Sequence, residues 1–278
     1  KEVIYLLDEA TDEILKFKLD DYKFLSSIKA VQNGYLTYCM QEIGGKIYLN
    51  RSSVLEKEKY ELREIDERNG KQVGKFLKSD DYNHGWNFPL SLEHSNFYSK
   101  NSQSPKYIGL FSNLIMNVTA DGVSAAYIVD SRKFVNKDEV LMMQRIAEGK
   151  LEKIDFSGIY SQKRIHQISR FIESPSKVFF QYLEGDERNY LVYDKASGKT
   201  KTSSLFMNDY VSDKNMIPMD FCYSDERGVV ALLKPCFMPH FIKYIIDGGK
   251  MRTHLDNYSR LIKLNKDSNP VLFFHEYK

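Results

Sequence analysis

Apolar and polar residues alternate along much of this chain with the two-residue period of half-buried strands, and turn residues separate the runs. Val3-Ile4-Tyr5-Leu6-Leu7-Asp8 reads as a strand, followed by a polar turn and a return through Ile14-Leu15-Lys16-Phe17. Gly34 to Met40 and Lys46 to Leu49 flank a Gly44-Gly45 turn, and Leu114 to Thr119 runs into Asp121-Gly122 before returning through Val123 to Val129. Asp-Gly between two such runs predicts a hairpin, because the turn needs positive φ. Ser176 to Leu183 turns at Glu184-Gly185-Asp186-Glu187 and returns to Tyr193; Gly228 to Leu233 and Val271 to Tyr277 complete the expected strands.

Three segments instead carry helical spacing. Val140, Met143, Ile146 and Ala147 predict a helix over residues 137–150. Met238, Phe241, Ile242, Ile245 and Ile246 predict another over 237–246, with Pro239 near its start and Gly248-Gly249 beyond its end. Leu255, Tyr258, Leu261 and Ile262 suggest a third, short helix before Asn269-Pro270.

A strand–Asp–turn unit recurs. Its aspartates are Asp8, Asp66, Asp130 and Asp194, which are 58, 64 and 64 residues apart. Asp closes such a turn through its own backbone bonds, so near-constant spacing predicts repeated antiparallel sheets arranged as blades or layers. Tyr244-Ile245-Ile246-Asp247 imitates the unit but falls within a helical period.

With 278 residues there is room for about two domains or one large all-β domain. No low-complexity linker divides the chain, so a single domain over residues 1–278 is expected. Tyr at 19 and Phe at 17 lean the composition towards strands. Lys plus Arg is 40 against 38 Asp plus Glu, and this near-balance argues against a nucleic-acid partner. No apolar run approaches the roughly 18 residues of a membrane helix. A strand at residue 3 without a preceding partner leads to the expectation that a leader and N-terminal strands of a longer protein are missing.

The three cysteines, Cys39, Cys222 and Cys236, lack zinc-site spacing. An oxidising compartment would allow a Cys222–Cys236 bridge, although buried reduced residues are the better expectation. Asn50-Arg51-Ser52 and Asn117-Val118-Thr119 match the glycosylation sequon, a short pattern that recurs by chance.

Candidate chemistry concentrates in residues 79–94, Ser-Asp-Asp-Tyr-Asn-His-Gly-Trp-Asn-Phe-Pro onwards to His94, which hold the only tryptophan. A ligand could stack on Trp86 and Tyr82 while Asp81 and His84 bond its polar groups. The better expectation is a loop that tucks its aromatics onto the protein body. His84 and His94 have no metal-pair spacing, and no metal or other cofactor is expected. His166, His240, His254 and His275 are scattered and read as structural or solvated; His275, on the last strand, could lie near a central channel, its face being unspecified by the sequence. There is no Gly-x-Ser-x-Gly elbow, and Asp80-Asp81 and Asp186-Glu187 read as solvated turns, so no catalytic residue is assigned.

Taken together, the Tyr-Leu-Leu-Asp opening, the hairpin ending in Tyr127-Ile128-Val129-Asp130, the Tyr193-Asp194-Lys195-Ala196-Ser197-Gly198-Lys199 turn and the closing Asn269-Pro270-Val271-Leu272-Phe273-Phe274-His275-Glu276-Tyr277-Lys278 resemble the Bacteroides-type six-bladed β-propeller family of envelope lipoproteins. The resemblance implies an all-β propeller of antiparallel blades with a few peripheral helices, about four to five blades falling within this chain. It implies export to the periplasm or outer membrane, with membrane association only through a lipid anchor absent from this chain. It implies no established reaction. The expected function is a non-enzymatic binding or interaction protein of the envelope, with a carbohydrate, peptide or protein partner. The alternative is a propeller hydrolase or lyase using a central-channel metal or acid/base pair, which would need several titratable side chains converging in one channel.

Overall fold

Strands that follow one another in the chain pair with one another. The computed structural model describes residues 2–8, 10–11, 13–29, 36–52, 59–86, 97–98, 104–148, 150–204, 220–224, 227–249, 251 and 253–276. A first antiparallel sheet contains β1 (Val3–Asp8), β2 (Glu13–Lys18) and β3 (Phe24–Lys29). The second contains β4 (Leu36–Ile43), β5 (Lys46–Ser52), β6 (Tyr60–Asp66) and β7 (Gln72–Lys78), after which α1 (Ser79–Tyr82) forms one turn of helix. The third contains β8 (Phe97–Tyr98), β9 (Lys106–Tyr107), β10 (Leu114–Thr119) and β11 (Gly122–Ile128). Helices α2 (Lys137–Ala147) and α3 (Ser157–Ser161) follow.

The fourth sheet orders β12 (Ile165–Glu173), β13 (Lys177–Glu184), β14 (Glu187–Asp194) and β15 (Lys199–Ser203). The fifth pairs β16 (Asp220–Ser224), β17 (Gly228–Leu233) and β18 (Val271–Glu276) antiparallel. Between β17 and β18 lie α4 (Met238–Phe241), a π-helical continuation over Ile242–Ile246 and α5 (Tyr258–Leu261). The architecture is therefore all-β, with several antiparallel sheets and a few short helices. The expected helix over 237–246 is present, but as successive 3₁₀, α and π turns.

The chain divides into two compact units. One comprises Lys1–Tyr98, Ser102–Ser169 and Tyr182–Arg188; the other comprises Ser99–Asn101, Arg170–Gln181 and Asn189–Lys278. In the first, the second sheet is covered on both faces. Ile47, Leu49 and Ile65 pack with Ile14 and Ile28 of the first sheet, while Tyr48 and Leu62 pack with Tyr107, Met116 and Val118 of the third. That double burial explains why β5 and β6 lack clean alternation: Ile47 to Asn50 and Leu62 to Ile65 are continuously buried. Polar clasps reinforce the stacking. Lys16 Nζ donates to the Glu67 carboxylate at 2.7 Å, and Lys46 Nζ donates to the Ala120 carbonyl at 2.7 Å while lying 3.1 Å from the Glu64 carboxylate. In the second unit, Ala231, Leu233 and Phe273 pack with Met238, Phe241 and Ile245, which gives the helical insertion an apolar seat.

The turn aspartates behave as expected at three of four positions. Asp8 accepts from the Ala10 amide at 3.0 Å, Asp66 from the Arg68 amide at 2.8 Å and Asp194 from the Ser197 amide at 2.8 Å. Asp130 is different. It follows β11 and leads towards α2, and the hairpin of that sheet turns at Asp121-Gly122 instead. Both 64-residue intervals meet at Asp130 and are thus a coincidence of composition. Cys236 is exposed and free, and the Cys222 side chain lies outside the described residues. Of the sequon asparagines, Asn50 is buried and donates to the Tyr107 hydroxyl, and Asn117 lies within β10.

Candidate functional site

Helix α2 is set by its first turn. The Asn136 side chain accepts from the Glu139 amide at 3.0 Å, and the Glu139 carboxylate accepts from the Asn136 amide at 2.8 Å, a reciprocal capping box. Glu139 also holds Arg164, whose Nε lies 3.0 Å away. Val140, Met143 and Ala147 turn inward onto Trp86, Phe111 and Ile159. Met142 and Ile146, one turn apart, do not: they are 63% and 57% exposed. The helical spacing read from the sequence included Ile146 among inward positions, and the structure moves it to the surface.

The entry to α3 is fixed by Asp155, which accepts from the Ser157 amide at 2.8 Å and the Ser157 hydroxyl at 2.7 Å. These bonds hold its carboxyl below the usual range and so keep it charged. Between α2 and α3 lies a cavity of about 240 Å³. Its floor is Met142, Met143, Ile146 and Ile159, and Glu139, Asp155, Ser157 and Gln162 supply polar groups. Gly158 lines the same cavity, and a Cβ built there meets no atom within 4 Å. The arrangement is concave and apolar with a few polar groups, the form common to ligand sites.

A second constellation is closed. Tyr107 Oη donates to Glu61 Oε2 at 3.0 Å and accepts from the Asn50 amide, while Asn83 Nδ2 donates to Glu61 Oε1 at 2.8 Å. Burial pushes the Glu61 carboxyl up to about 7, and the bonds from Tyr107 and Asn83 offset part of that shift. His166 is fully buried, with its ring beside Tyr160 and Phe156, and burial depresses its pKa.

A family model for DUF4934, a domain of unknown function, matches residues 1–276. The chain belongs to this family. The DUF4934 chain is similar in fold to the crystal structure of a "putative exported protein" from Bacteroides fragilis NCTC 9343. The TM-score is 0.72 at 15% identity, over 100% of this chain and 75% of the other. No curated protein matches. Among the described residues, no helix is long and apolar enough to cross a membrane.

The structure disperses the DUF4934 residues singled out in the sequence. Tyr82 is buried, its hydroxyl accepting from the Gly109 amide at 2.9 Å, and burial raises its pKa. Trp86 is 3% exposed, with its ring edge-on to Phe111 at 4.9 Å. Both rings face protein. His84 is half-buried at φ 63° and bonds the Val135 backbone; burial and nearby Lys137 depress its pKa. Asp81 is exposed on α1. Asn87, Phe88, Pro89 and His94 lie outside the described residues. The segment nevertheless supports α2 from beneath, since Gln144 donates to the Gly85 carbonyl at 3.0 Å. The cavity itself was missed. Its signal was the Met142/Ile146 pair, exposed at i, i+4 spacing.

Proposed function

We propose that this chain is a non-enzymatic binding protein of the bacterial envelope, built on a β-propeller of the six-bladed type. Consecutive meandering sheets of three or four strands, three of them stacked face on face, support the propeller reading. The fold likeness to a Bacteroides fragilis protein described as exported supports export, and a lipid anchor outside this chain would hold it at the periplasmic or outer-membrane surface. The observation that carries binding is the cavity between α2 and α3, whose apolar floor includes Met142 and Ile146, both largely exposed. Methionine at a surface cavity adapts to varied apolar partners.

The test is methyl NMR of ¹³C-methionine-labelled protein titrated with hexan-1-ol as a neutral alkyl probe. The Met142 and Met143 methyl signals shift together and saturate. Shifts at other methionines with these two unmoved would overturn the assignment. The alternative, a hydrolase or lyase, draws its support from Glu61, a carboxyl held near neutral pH beside a tyrosine hydroxyl.

A further inference from the structure

We infer that the cavity between α2 and α3 receives a lysine side chain presented by a partner polypeptide. The inference rests on reading that cavity as the binding site and adds the chemistry of its occupant. A lysine has a four-carbon apolar stem and a cationic tip, and such side chains lay the stem along apolar surface while the tip seeks water or an anion. Met142, Met143, Ile146 and Ile159 match the stem. The lining includes two carboxylates, Glu139 and Asp155, and no cation. Glu139 is committed to Arg164. Among the described residues Asp155 accepts hydrogen bonds from Ser157 alone and stays charged, so it is the anion left to meet the tip.

Gly158 keeps the entrance open. Any larger residue there would project a side chain into space that now holds none. The exposed side chains of Met142 and Ile146 argue for a polypeptide over a free amine. A small amine seated in the cavity would cover only the sides of Met142 and Ile146 that line it, whereas a flanking main chain would also cover the remainder of their exposed surface.

The experiment is a titration of ¹³C-methionine-labelled chain with Ac-Gly-Lys-Gly-NH₂, the norleucine analogue Ac-Gly-Nle-Gly-NH₂ and free hexylamine. The lysine peptide is expected to shift the Met142 and Met143 methyls at concentrations at least tenfold below either of the others. Asp155→Asn should erase the preference over norleucine, because it removes the charge and keeps an oxygen for the Ser157 amide. Gly158→Leu should abolish the shifts for all probes while leaving Trp86 emission unchanged as a check on folding. Equal or stronger response to norleucine would overturn the lysine assignment and leave the apolar site standing. Equal response to hexylamine would overturn the polypeptide as source. No shift with any probe would remove the site itself, and both readings with it.

Discussion

The Tyr107 hydroxyl donates to the Glu61 carboxylate at 3.0 Å, joining a residue of β9 to one of β6. The bond favours the ionised carboxylate, yet burial outweighs it and carries the pKa from 4.5 up to about 7. A raised carboxyl pKa means that the folded state prefers the protonated form. Its stabilising contribution is therefore full below pH 4.5 and is lost as pH rises to about 7. The span corresponds to a loss of about 3 kcal/mol. Glu61→Gln stays neutral throughout, so the difference in unfolding free energy between pH 5 and pH 8 should become more favourable at pH 8 in the variant than in the parent. Urea unfolding at the two pH values measures this. Parallel pH dependences in the two proteins would show that Glu61 titrates normally.

Trp86 is the only tryptophan and is 3% exposed against Phe111. Its emission should be blue-shifted and resist quenching by iodide, and both properties should be lost on unfolding. Trp86→Ala should cost about 3–5 kcal/mol, the range for emptying a large aromatic site in a core. Ready iodide quenching in the folded protein would place the ring at the surface, where a ligand could stack on it.

Legibility from sequence followed the kind of burial each segment experiences. Hairpins marked by Gly44-Gly45, Asp121-Gly122 and Gly185 were readable because the turn dictates its residues. Strand β12 escaped notice: Ile-His-Gln-Ile-Ser carries polar residues at buried positions, where His166, Gln167 and Ser169 all lie inside. Asp130 was mistaken for a turn aspartate because Tyr-Ile-Val-Asp ends a strand whether the chain then turns back or enters a helix. The aromatics around Trp86 allowed a ligand site or, as the better expectation, a loop tucked onto the protein body, and the Trp86 ring lies in the cluster beneath α2. The cavity beside that helix depends on which face of α2 meets α3, and a periodicity alone does not specify that.

The capping box of α2 should be worth about 1 kcal/mol. Asn136→Ala removes the acceptor for the Glu139 amide, while the backbone amide at 136 and Arg164 still hold the Glu139 carboxylate near the helix start. Asn136→Ser should retain most of the stability, since its hydroxyl can accept the same bond. Chemical denaturation of the two variants distinguishes them. Equal losses would mean that the cap contributes nothing beyond helix propensity.

Gly70 and Gly198 close corresponding turns after Asp66 and Asp194, with φ of 69° and 66°. Both amides donate to the preceding aspartate carbonyl at 2.9 Å. Alanine at either position pays the left-handed strain, about 1–2 kcal/mol. Their surroundings differ. At Gly70 the new methyl would lie 2.6 Å from Ile28 Cγ2 and 2.8 Å from the Lys29 carbonyl oxygen, whereas at Gly198 it would meet nothing within 4 Å. The backbone at Lys29 belongs to the end of β3 and can yield only by shifting the first sheet against the second. Gly70→Ala should therefore lose more than Gly198→Ala by an overpacking penalty of about 1–3 kcal/mol. Denaturant midpoints for the two variants, with unchanged slopes, read out the difference. Matching losses would mean that the first two sheets do not meet closely at this turn, and the stacking of consecutive sheets would lose its tightest contact.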